Sequence, residues 1–307
     1  MPTKPLETVI YRELQVARAK KFLEVATPLF KELVNYGSNA LIRCATSSER
    51  AENQDLAAVN LYRHILEMTD AFEVMIAGCC AAPTVPIVRS SFEALLGLEY
   101  ILDSKSTYVQ RSLSWLAVYA HKRIGLYEMM LIESPKGKAF RASIKKDKWI
   151  RDMPALPQDQ VQAAIDNMKA LLRREQFSDI EAEYGTFNCP PQWYQLFGGP
   201  TNIQQLAYAL NHHVHYDFLY RQWSTVAHAH DFSQFLAVDS TGESGIRGIR
   251  DAGPLQEVSR FAAAFMVEAT RRMLIEFRPG EDFSKYYVAE VGDLFRQVMS
   301  RNDFFSD

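Results

Sequence analysis

Cysteine is scarce in this chain: Cys44, Cys79, Cys80 and Cys189 are the four in 307 residues, and none has CxxC spacing. That count argues against a zinc ribbon or a disulfide framework and for buried thiols in a reducing compartment. Long hydrophobic runs are missing too. The most apolar stretch, VMIAGCCAAPTVPIV, is too short to span a bilayer and is broken by Pro83 and Pro86. The opening MPTKPLETVIYREL is too polar for a signal peptide. These absences predict a cytoplasmic chain with no membrane partner. Charge of one sign is also lacking. A net charge of −3 and a pI near 6.2 give no overall basic field, so an anionic partner has to be met by a local patch. There is no GxSxG, no P-loop and no HExxH, and no cysteine has an evident catalytic partner. Ordinary hydrolase and nucleotide-fold chemistry finds no support. No internal repeat or long heptad pattern is present.

What is present is apolar spacing of three and four residues over long stretches, the mark of amphipathic helices. It predicts helices over about 6–36, with Gly37 as a stop, and about 55–80. A third follows the AAPTVP break with Pro86 in its first turn, and a fourth covers about 107–132. Residues 134–157 are basic with three prolines, 158–183 read as a charged helix, and GTFNCPPQWYQLFGGP is an irregular loop. We read about 134–200 as a peripheral insertion, not a separate domain. The stretch YDFLYRQWSTVAHAHDF (216–232) predicts a helix of its own, 239–254 a glycine-punctuated loop, and 254–277 and 284–300 two closing helices. The expectation is an all-α, up-and-down antiparallel helical bundle, one domain over 1–307.

The stretch at 216–232 concentrates chemistry. On a regular helix at a hundred degrees per residue, Asp217, Arg221, Ser224 and His228 share a narrow arc, flanked by Tyr220. A guanidinium suits a phosphate through bidentate, permanently charged hydrogen bonds. An imidazole near neutrality can move a proton. The plainer alternative is an exposed Asp–Arg ion pair and a histidine placed by the helix dipole. A second polar pair, Arg89 and Glu93, lies four apart in the apolar helix VPIVRSSFEALLGLEYIL. It reads either as an internal ion pair between helices or as a group meeting the Arg221–His228 face, with Glu93 clamping Arg221.

Five of the seven histidines fall at 212, 213, 215, 228 and 230. Such a cluster can hold a metal, but no Glu-x-x-His pair accompanies it, and we assign neither metal nor cofactor. Arg247 and Arg250 could contact phosphate, although a solvated loop is the plainer reading. KGKAFRASIKKDKWIR, with Phe140 and Trp149 among its cations, suits RNA backbone contact with base stacking, or a merely solvated run.

RSSFE in an early helix followed by YRQWSTVAH in a later one resembles a group of uncharacterised bacterial helical proteins related to the HEPN superfamily. That superfamily is marked by an arginine followed four to six residues later by a histidine. Here six residues separate Arg221 from His228, and Gln222 stands where asparagine is usual. The resemblance covers about 55–132 and 202–277. It implies a homodimer whose motif helices face each other and a metal-independent endoribonuclease of toxin–antitoxin or anti-phage systems. RNA and an antitoxin or other protein would be its partners. Arg221 would stabilise the scissile phosphate and His228 would act as general acid or base for attack by a ribose 2′-hydroxyl. Asp217, Ser224, Tyr220, Glu93 and Arg89 would be supporting residues. Other members are inactive binding modules. The competing expectation is therefore a non-catalytic helical module whose polar face binds a ligand or partner, or knits the bundle together.

Overall fold

The computed structural model describes residues 12–46, 54–150, 156–227, 236–238, 244–246 and 249–300, with Gly242 and Phe304. Where the apolar spacing is helical, helices form. They begin with α1 (Arg12–Arg18), α2 (Lys20–Thr46), α3 (Asp55–Ala77) and α4 (Ala81–Leu102). Next come α5 (Tyr108–Met130), α6 (Pro135–Ile144), α7 (Gln158–Leu172), α8 (Ser178–Tyr184), α9 (Ile203–Ala209) and α10 (Arg221–Ala227). The chain closes with α11 (Leu255–Phe277), α12 (Phe283–Tyr286) and α13 (Gly292–Met299). One short antiparallel pair, Leu236–Val238 with Ser244–Ile246, is the only sheet among the described residues. The protein is all-α. Among the described residues no helix is long and apolar enough to cross a membrane.

The described residues fall into two compact units, one drawn from Met1–Asp103 and Leu206–Asp307, the other from Ser104–Gln205. In the first, α2, α3, α4 and α11 pack on one another around Phe22, Phe30, Tyr62, Phe72 and Phe92, all fully buried. Side chains of this size contribute about 2–3 kcal/mol each when removed from water. In the second, α5 packs with α7 and α8 around Leu113, Leu116, Ile165, Phe177 and Leu196. This second unit starts at Ser104 and includes α5, whose Leu113 and Leu116 share a core cluster with Val161 and Ile165 of α7.

Three local expectations are corrected. Gly37 does not stop the first helix, since α2 runs through it to Thr46. A Cβ there would collide with the Met266 side chain and stand 2.9 Å from Leu66 Cδ1. The Tyr62 hydroxyl donates to the Gly37 carbonyl at 3.2 Å. The glycine serves close approach of helices, not termination. The break between the second and third helices lies at Gly78–Cys80, where Cys79 takes φ +54°, and not at AAPTVP. Pro83 therefore falls in the first turn of α4 and Pro86 one turn further on. The expectation of buried thiols holds for Cys44 and Cys79, while Cys80 is half-buried and Cys189 exposed. Residues 6–11 of the first expected helix lie outside the described residues.

Candidate functional site

The motif segment is not one regular helix. His215–Tyr220 forms a π-helical turn that passes directly into α10. A π turn closes its hydrogen bonds five residues on rather than four. The side chains nevertheless divide by burial as a regular wheel would divide them. Leu219, Tyr220 and Trp223 turn to the core at 6%, 8% and 6% exposure, while Phe218 stands 74% exposed and Val214 73%. Tyr220, expected at the edge of the polar arc, is a core residue with a polar tip.

That tip joins the two expected clusters. Arg89 Nη2 donates to Tyr220 Oη at 2.7 Å, and Tyr220 donates to Glu93 Oε1 at 2.9 Å. Arg89 Nε also donates to Glu93 Oε1 at 3.2 Å, and the Arg89 guanidinium lies 4.3 Å from the centre of the Tyr220 ring. Burial, then the neighbouring Glu93 carboxylate, pushes the Tyr220 hydroxyl up to about 12, so it remains a donor at neutral pH. The helix beyond it is further held by Trp223 edge-on to Phe261 at 5.5 Å. Arg89 and Glu93 thus grip the motif segment through Tyr220.

Arg221 does not take Glu93 as its partner. Its Nη1 lies 3.8 Å from Asp217 Oδ1, and the two side chains are 66% and 44% exposed. Asp217 is itself fixed by the Tyr208 hydroxyl at 2.6 Å. An ion pair so exposed contributes about 0.3–0.5 kcal/mol, so the guanidinium is readily given up to another anion. Ser224 is half-buried on the next turn. His228, with His230 and Arg247, lies outside the described residues. Arg250, a candidate phosphate contact, bonds instead to the Gly78 carbonyl and the Cys80 sulfur.

Glu99 was missed by the sequence reading. It is 4% exposed on α4, and its Oε2 lies 2.7 Å from His212 Nε2. His212 Nδ1 faces His215 Nδ1 at 3.4 Å, and Arg272 reaches Glu99 Oε1 at 3.8 Å. Burial, then the His212 charge, lowers the pKa of His215 from its usual 6.5. The Phe92 ring lies between this cluster and the Tyr220 network, 5.7 Å from His212 and 6.2 Å from Tyr220. The signal was available: Glu99 is an isolated carboxylate in the apolar run LLGLEYIL. Among the described residues no group of three or more His, Cys, Asp or Glu side chains is placed to hold a metal ion.

An all-α bundle with an anchored helix presenting an exposed arginine is the class that fold and site define. A family model described as a family of unknown function (DUF5677) matches residues 55–244, and the chain belongs to that family. The match runs from α3 through the motif segment. No curated protein and no solved structure matches the chain.

Proposed function

We propose that the protein is a HEPN-like RNA-targeting protein acting as a metal-independent endoribonuclease, with Arg221 and His228 as its reacting pair. The observation that supports it best is the exposure of Arg221 on a helix held by the contacts of Tyr220 and Trp223. Arg221 binds the scissile phosphate, exchanging its weak Asp217 contact for a bidentate one in a charge-assisted geometry. His228 moves the proton of the attacking 2′-hydroxyl or of the leaving oxygen. Exposed Phe218, three residues before Arg221, offers a stacking face to an unpaired base. Together with Val214 it also gives the motif segment an apolar surface suited to a second copy of the chain, consistent with a homodimer. An antitoxin or other protein would cover the same face.

The test is cleavage of a broad RNA panel by the full chain with EDTA present, comparing wild type with Arg221→Ala and His228→Ala. Loss of cleavage in both variants, with helicity kept by circular dichroism, supports the reading. An uncut panel, or variants that cut as well as wild type, would remove it. The second reading is a non-catalytic helical module. It is favoured by the Arg89–Tyr220–Glu93 network, which needs no ligand to explain its polar groups. It predicts unfolding on loss of Tyr220 and no RNA cleavage by wild type.

A further inference from the structure

Outside the motif segment, the unit at 104–205 carries a cleft of about 600 Å³ between α5, α7 and α8. We infer that this cleft binds a small phosphomonoester, the phosphate held by Arg173, Arg174 and Lys169 and the organic body lying against Ile124 and Leu172. Neither family membership nor the proposed nuclease site assigns it a role.

Four observations carry the inference. The first is unbalanced charge. The segment 104–205 has fourteen Lys and Arg against ten Asp and Glu, while the rest of the chain has twenty against twenty-seven. The chain's negative total therefore conceals a positive unit. The second is that the cations are unspent. Lys169, Arg173 and Arg174 all line the cleft, and among the described residues none of them forms an ion pair. Two carboxylates also line it, Glu175 and Glu181, but Glu181 is engaged by His121 Nε2 at 2.9 Å. The third is a fixed imidazole. His121 lines the cleft and stacks on Tyr184 with ring centres 4.0 Å apart and planes within 6°. Stacking and the Glu181 contact fix the ring, which leaves Nδ1 as its second polar atom. The fourth is the floor. Ile124 and Leu172 are 8% and 7% exposed and give an apolar base to an otherwise polar rim. The volume is several times what inorganic phosphate needs and falls in the range of sites for small organic ligands.

A plainer role is open to the three cations, which follow or close the last turn of α7 and so complement its dipole. That role predicts a small loss of stability on their removal and no ligand binding. The experiment separates the two. The full chain is titrated calorimetrically with inorganic phosphate, with phenyl phosphate and with a short 5′-phosphorylated RNA, using wild type, the double variant Arg173→Ala/Arg174→Ala, and His121→Gln.

The expected result is saturable binding of phenyl phosphate at least tenfold tighter than inorganic phosphate, weakened as ionic strength rises. The double variant should lose at least tenfold in affinity with its helicity intact. His121→Gln keeps a hydrogen-bonding group and should lose less. Absence of saturable phenyl phosphate binding at millimolar concentration would overturn the inference, as would equal binding by the double variant. Binding of the RNA without phenyl phosphate would overturn it too, and would make this cleft part of an RNA surface. Failure here leaves the nuclease reading untouched, because the motif segment contributes no residue to the cleft.

Discussion

Replacing Tyr220 by phenylalanine isolates one atom in the joint between α4 and the motif segment. The ring stays buried beneath Arg89, so packing and the guanidinium–ring contact are kept. What is lost is a hydroxyl that accepts from Arg89 at 2.7 Å and donates to Glu93 at 2.9 Å. Hydrogen bonds to charged groups contribute about 1.5–3 kcal/mol each when fully desolvated. Neither partner is fully desolvated, since the Arg89 and Glu93 side chains are 19% and 44% exposed, and they retain each other at 3.2 Å. Water and that remaining contact recover part of the loss, so Tyr220→Phe should cost about 1–2 kcal/mol. Tyr220→Ala also discards the buried ring and should cost about 3–5 kcal/mol. Urea unfolding followed by circular dichroism measures both, with an unchanged m value showing that the unfolding reaction is the same. A Tyr220→Phe loss below about 0.5 kcal/mol, the scatter of surface substitutions, would refute the claim that this hydroxyl anchors the helix.

Other consequences are as direct. Arg221→Ala removes only an exposed ion pair and should shift stability by less than about 0.5 kcal/mol in the same assay; a larger loss would make Arg221 structural. Gly37→Ala should cost about 1–2 kcal/mol, because the gain in helix propensity is outweighed by the collision with Met266 and Leu66; a more stable variant would show that α2 and α11 can move apart. His215 has its pKa lowered, so the unfolded chain binds more protons in the window below 6.5. Its contribution is complete above pH 6.5 and is lost as pH falls through that window. His215→Phe should flatten that part of the stability–pH curve, and an unchanged slope would assign it to another group. The Glu268 carboxylate feels burial that raises its pKa, but the hydrogen bonds and charges of Arg271 and Arg272 together outweigh it and lower the pKa. It should therefore stabilise above about pH 4.5 and fade below, a fall that Glu268→Gln would remove and that persists if the pairing is unimportant.

The helical core was legible because burial and periodicity coincide in it. α3, α5 and α11 follow their expected spans closely. The unforeseen features all arise from tertiary context. Gly37 has the composition of a stop, yet it is held inside α2 by what packs against it from α3 and α11. The helix expected over 158–183 is interrupted after Leu172, where Arg173 and Arg174 leave α7 and help form the basic cleft. In the motif segment, residue types and sidedness were readable, since a hundred-degree wheel puts Leu219, Tyr220 and Trp223 on one side and Phe218 and Arg221 on the other. The π turn itself was not, since no local pattern announces one. Arg89 and Glu93 were read as an ion pair between helices or as groups meeting the Arg221–His228 face; the structure pairs them within α4. Tyr220 joins the pair, its buried ring carrying a hydroxyl that reaches both charges.

The reaction chemistry gives the most direct measurement. The full chain is incubated in EDTA with an RNA substrate and with the same sequence carrying a single 2′-deoxynucleotide at the cut position, and the product ends are read by mass spectrometry. Attack by the ribose hydroxyl, with Arg221 on the phosphate and His228 moving the proton, predicts cleavage of the first leaving a 2′,3′-cyclic phosphate, and no cut at that position in the second. Cleavage of both substrates with linear 5′-phosphate ends, or cleavage that requires an added metal ion, would contradict the account.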